Sequence, residues 1–134
     1  MKKQLNILII SIIFLITGCT FTEKIPVAPD TLPHAITGKP YYSQIFIEIQ
    51  GNGGDLGLID FTLTPVDSGL KWGYCNPEGT TLEAYKCLII EGIPNKVSDV
   101  TFYVSGSLMP SHRLFYRVEY IIDKTYVIKV KERE

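Results

Sequence analysis

The chain has 134 residues, with 13 Lys or Arg against 14 Asp or Glu and a formal charge of −1. That length holds one domain and no more. Near-neutral charge with no Lys/Arg cluster gives no electrostatic footprint for nucleic acid.

In chain order, Lys2 and Lys3 precede an apolar run over residues 5–16. A span of the bilayer needs about 20 apolar residues, so this run is too short to be one. A positive start and a short apolar stretch make a secretory signal. Ordinary signals end in a small-x-small pattern; here Thr17 and Gly18 are followed directly by Cys19. The stretch Ile16-Thr17-Gly18-Cys19 resembles the lipobox of bacterial lipoproteins. That resemblance implies a lipoprotein signal peptide over residues 1–18 and a lipidated Cys19 as the new N-terminus. It implies a diacylglycerol on the sulfur, often with a further chain, such as palmitate, on the amine. One acyl chain anchors weakly and stable attachment takes more than one, so the membrane becomes a partner through this lipid. Residue 20 is Thr, not Asp. In lipoproteins of two-membraned bacteria Asp there marks inner-membrane retention, so the expected location is the cell envelope, and the outer membrane if the host has two membranes. The 116 residues from Cys19 onward carry 11 basic and 14 acidic side chains, net −3.

Residues 19–30 read as the lipidated Cys and a proline-containing tether. Pro26, Pro29 and Pro33 favour extended backbone, and at about 3.1 Å per residue the stretch 20–30 would reach roughly 35 Å. The domain is then 31–134, with 31–36 as a possible first edge strand. With Cys19 taken by lipid, Cys75 and Cys87 remain as a pair in an oxidising setting. A disulfide between them would add about 2–3 kcal/mol. Two independent buried thiols are the alternative, and zinc would need ligand spacing that His34 and His112 do not supply.

From Tyr41 the pattern has period two, the signature of half-buried strands. Residues 41–50 carry Tyr41, Ile45, Ile47 and Ile49 on one face. Gly51-Asn52-Gly53-Gly54 reads as a hairpin loop without the Lys-Ser/Thr of a phosphate loop. Ile59, Phe61 and Leu63 form a second strand that stops at Pro65, and Leu70, Trp72 and Tyr74 a third. Residues 87–91 form a fourth, and Val100, Phe102 and Val104 a fifth. Residues 114–122 alternate again. Asp123-Lys124 reads as a tight turn, and Tyr126, Ile128 and Val130 mark the last strand. No stretch after the leader has helical periodicity. About seven short strands argue for an all-β, antiparallel sandwich, with an up-and-down barrel as the alternative.

Four motifs then stand in order: Gly38-Lys39-Pro40-Tyr41, Thr64-Pro65 with Gly69-Leu70, Leu88 to Pro94, and Val100 to Val104. Together they resemble a bacterial family of Ig-like modules, the cadherin-like and dystroglycan-like sandwiches of surface proteins. The resemblance covers roughly residues 32–105. It implies an Ig-like β-sandwich with a binding or spacing role, and no enzymatic activity. Family members usually occur in tandem; here one module stands alone, and 75–87 and 109–122 read as insertions.

No catalytic residues are assigned. There is no G-x-S-x-G elbow, His34 and His112 read as loop residues, and no pair of carboxylates is fixed across a cleft. Asp60, Asp67, Asp99 and Asp123 are scattered and lack the clustered oxygen ligands of a calcium site. No metal or cofactor is implied. Phe46, Tyr103, Phe115 and Ile121 fall opposite the expected core. The Cys-closed loop, with Asn76, Pro77, Glu78 and Gly79 at its tip, is the candidate partner-contact element. The sequence thus points to a lipid-anchored, non-enzymatic envelope module that binds a protein or glycan. The alternative is an inhibitor of a cell-wall hydrolase or other envelope enzyme.

Overall fold

The structure, a computed structural model, describes residues 1–15, 18–49, 57–78, 81–112 and 116–134. Ile16 and Thr17 of the lipobox-like motif, the 51–54 glycine loop, Gly79 and Phe115 lie outside them. Helix α1 (Lys2–Leu15) is followed by β1 (Cys19–Lys24), β2 (Val27–Ala28), β3 (Ala35–Ile36), β4 (Tyr41–Ile47), β5 (Ile59–Thr64) and β6 (Leu70–Tyr74). Then come α2 (Thr81–Lys86), β7 (Cys87–Gly92), β8 (Val100–His112), β9 (Tyr116–Ile128) and β10 (Val130–Lys131). Among the described residues no helix is long and apolar enough to cross a membrane.

Two four-stranded sheets, ordered β1-β9-β8-β5 and β2-β4-β7-β6, form an all-β sandwich, and β10-β3 makes a small third pair. Pairing is antiparallel except for β1 with β9 and β3 with β10. Strand β4 shows how the sequence sets this architecture. Tyr41, Ser43, Ile45 and Ile47 are buried while Tyr42, Gln44 and Phe46 are exposed, as a two-residue period requires. Leu88 and Ile90 of β7 join Val100, Phe102 and Val104 of β8 and Ile122, Tyr126 and Ile128 of β9 in one core. Each such side chain contributes about 1.5–3 kcal/mol of apolar burial.

The expected turn at Asp123-Lys124 does not exist. Both residues continue β9, paired with Ser105 and Val104 of β8. Lys124 has the inward parity of Ile122 and Tyr126, which is why the dipeptide looked like a break. Its ammonium reaches Asp30 at 3.4 Å and lies 5.3 Å from the centre of the Tyr126 ring. Residues 109–112 are likewise not a loop insertion but the end of β8. The register shifts between Leu108 and Ser111, a bulge that accommodates Pro110, which cannot donate to a ladder. His112 therefore closes a strand.

The tether expectation also needs correction. Residues 19–24 are β1, and the chain then crosses to β2 on the opposite sheet and on to β3. Ile25 and Leu32 are buried. The prolines that suggested free chain keep their carbonyls, and the domain supplies the donors. The Glu48 amide donates to Pro26 O at 3.0 Å, the Tyr126 hydroxyl to Pro29 O at 2.6 Å, and the Tyr41 hydroxyl to Pro33 O at 3.1 Å. Residues 31–36 do pair at their end, as β3.

Tyr126 makes this clasp pH-sensitive. Its phenol pKa is pushed up to about 12, first by burial and then by the Asp30 carboxylate. The folded state favours the neutral phenol, so the contribution is complete below the unfolded value near 10 and is lost as pH climbs through about 12. Burial raises Tyr41 in the same direction. Tyr126→Phe is expected to cost about 1 kcal/mol at neutral pH, the net worth of one hydrogen bond, and to shrink the stability loss between pH 10 and 12. Denaturant titrations at stepped pH measure both; an unchanged alkaline limb in the variant would refute the assignment.

Candidate functional site

Two regions carry the residues singled out by sequence. The first is the connection between β6 and β7. Tyr74 pairs with Leu88, so the next position places Cys75 opposite Cys87, with the Cys75 amide donating to Cys87 O at 3.0 Å. The two are joined by a disulfide, Cα atoms 5.4 Å apart, inside the usual range for such a bond. The bridge closes a loop in which Asn76, Pro77 and Glu78 are exposed.

The same loop contains α2. Six residues span under two turns, too short to leave a periodic sequence signal or to persist alone. Glu83 and Lys86 pair across one turn at 2.7 Å, while Ala84 is buried and Tyr85 half-buried.

Tyr85 completes an aromatic cluster that the sequence reading missed. Phe61 of edge strand β5 meets Trp72 of edge strand β6 at 4.8 Å between ring centres. It also meets Tyr85 at 5.8 Å and Phe102 of the core at 6.4 Å. Tyr74 stands edge-on to Tyr85 at 5.6 Å. These rings close the seam where both sheets end, and Phe61, Trp72, Tyr74 and Tyr85 remain half-buried. Burial, helped by the Tyr85 hydroxyl, raises the Tyr74 pKa. The parity of Phe61, Trp72 and Tyr74 with core residues was available in the sequence; the approach of Tyr85 was not. The chemistry on offer is flat apolar contact with phenolic hydroxyls at its margin, beside a stapled polar loop.

The second region is the far end of β1. Cys19 is a free, exposed thiol, in register with Tyr116 of β9. The other outward-facing residues do not gather. Phe46 is exposed on one sheet and Tyr103 on the other, and Ile121 is half-buried. His34 is exposed. Ser68, buried, accepts from the Leu70 amide at 3.3 Å, and Asp67, its pKa lowered first by hydrogen bonding to Lys96, forms an ion pair with that lysine. Among the described residues no three His, Cys, Asp or Glu side chains are grouped to hold a metal ion.

No family model matches the chain, and no curated protein matches it significantly. Among solved structures, a mutant of the SrpA adhesin from Streptococcus sanguinis aligns at 12% identity with a TM-score of 0.46. The alignment covers 83% of this chain and 60% of the adhesin chain, so the chain spans less than two thirds of that protein.

Proposed function

We propose that the chain is a lipid-anchored cell-envelope protein whose Ig-like sandwich is a non-enzymatic binding or structural module. The observation that carries this reading is the division among three cysteines. Cys19, directly after the apolar leader, is free and exposed, while Cys75 and Cys87 are joined. A structural disulfide belongs to an oxidising compartment, and a free cysteine behind a short signal is where a lipoprotein carries its lipid. The face offered to a protein or glycan partner is the stapled loop with Asn76, Pro77 and Glu78, flanked by the half-buried rings of Trp72, Tyr74 and Tyr85. Aromatic residues are enriched at the centres of binding interfaces.

The test is fractionation of cells expressing the full chain and its Cys19→Ser variant. The parent is expected in the membrane fraction with a mass raised by lipid; the variant is expected to be released or to keep its uncleaved leader without lipid. A parent of unmodified mass would refute the anchor.

A further inference from the structure

We infer that the Cys19 end of the β1–β9 pair is a lipid-contacting foot, a surface that lies in the headgroup layer of a phospholipid bilayer and fixes the orientation of the domain. This inference rests on the anchor proposed above. It follows from where the attachment point sits. Cys19 is not at the end of a free linker; it is the first rung of a six-rung parallel ladder, Cys19 with Tyr116 through Lys24 with Ile121. A lipid on its sulfur has no slack with which to lift the domain away.

The rungs are sorted as a bilayer surface would sort them. Phe21 and Tyr116 share one face and meet edge-on, ring centres 5.7 Å apart. They are 56% and 42% exposed, large apolar surface left open to solvent. Tyr116, an apolar ring with a wet hydroxyl, suits the membrane–water interface, and Phe21 beside it supplies wholly apolar surface to bury there. The second rung pairs Thr20 with the exposed cation Arg117, suited to anionic headgroups. The first carboxylates, Glu119 and Glu23, come only at the fourth and fifth rungs. At about 3.3 Å per residue, Cys19 to Phe21 spans roughly 7 Å, within the 5–10 Å to which interfacial apolar surfaces sink. Carboxylate charge thus begins where the headgroup layer gives way to water. The stapled loop and the aromatic seam belong to β5, β6, α2 and β7, none of which takes part in this ladder, so the foot and the partner face are separate surfaces of one module.

The experiment uses the full chain, lipidated in a bacterial host and reconstituted in phosphatidylethanolamine/phosphatidylglycerol vesicles containing brominated phosphatidylcholine. Tryptophan is placed at Phe21→Trp or, as control, at Val66→Trp. Val66 is 90% exposed and follows β5 beyond Thr64, which pairs with Thr101, at the end of the sheet away from Cys19. Emission of the parent, from Trp72 alone, is subtracted. The Phe21→Trp signal is expected to shift to the blue and lose most of its intensity to the bromines, while the Val66→Trp signal keeps its own. Vesicle-bound protein with both positions equally unquenched would overturn the foot and leave the anchor standing. Protein that does not float with the vesicles would overturn both.

Discussion

Gly92→Ala is expected to destabilise the domain by about 2–6 kcal/mol. Gly92 ends β7, the strand held between β4 and β6, and its φ is +138°. An L side chain there is strained by about 1–3 kcal/mol. Space is lacking too. A Cβ on Gly92 would run into the Gly69 carbonyl oxygen and lie 3.1 Å from Leu70 Cα. Relieving such an overlap costs a further 1–3 kcal/mol, roughly, because a packed interior has little room to shift. The neighbours are themselves fixed: the Ile93 amide donates to Gly69 O at 3.1 Å and the Asn95 amide to Ser68 O at 3.0 Å. Gly73→Ala is the control, since its Cβ would meet only the Ile89 Cγ1, at 3.8 Å. Urea titration should show a much lower midpoint for Gly92→Ala and a change within about 1 kcal/mol for Gly73→Ala, a substitution free of overlap. Equal midpoints would refute the account.

Removing the disulfide is the second large effect. The Cys75→Ala, Cys87→Ala double variant is expected to lose about 3 kcal/mol, the entropy of a short closed loop returned to the unfolded chain. The bridge spans a sequence separation of 12. A local effect should come first. Helix α2 is too short to stand alone, and its docking brings Tyr85 against Phe61 and Tyr74. Opening the loop therefore frees Tyr85 and lets water reach the seam, where Trp72 contacts Phe61 and Tyr74. A red shift of Trp72 emission is expected at lower urea than the loss of sheet circular dichroism, whereas coincident transitions at the parental midpoint would sink this view.

Strands β4 to β7 and the first half of β8 were legible because burial on one face writes itself as alternation. Tyr41, Ile45 and Ile47, or Val100, Phe102 and Val104, admit no other reading. What escaped notice is non-local. Asp123-Lys124 has the composition of a turn, and only Asp30, far off in sequence, explains a lysine at inward parity. The prolines at 26, 29 and 33 lack amide protons, and that hid the acceptors they still offer to Glu48, Tyr126 and Tyr41. Cys19 was visible as a position in a motif, but its nearness to Tyr116 depends on a parallel pairing between the two ends of the domain. Gly69-Leu70 and Gly92-Ile93-Pro94 read in sequence as parts of two separate motifs; in the structure those two turns lie against each other as one corner.

The path of residues 19–36 also bears on how the module carries force. β1 runs parallel to β9 and begins at Cys19. A pull drawn between Cys19 and the body of the domain acts along β1, not across it. The ladder bonds from Cys19 to Lys24 are then loaded in shear and share the tension, instead of opening one after another like a zipper. For any load applied at Cys19, β1 and its ladder to β9 are the first part of the fold to bear it.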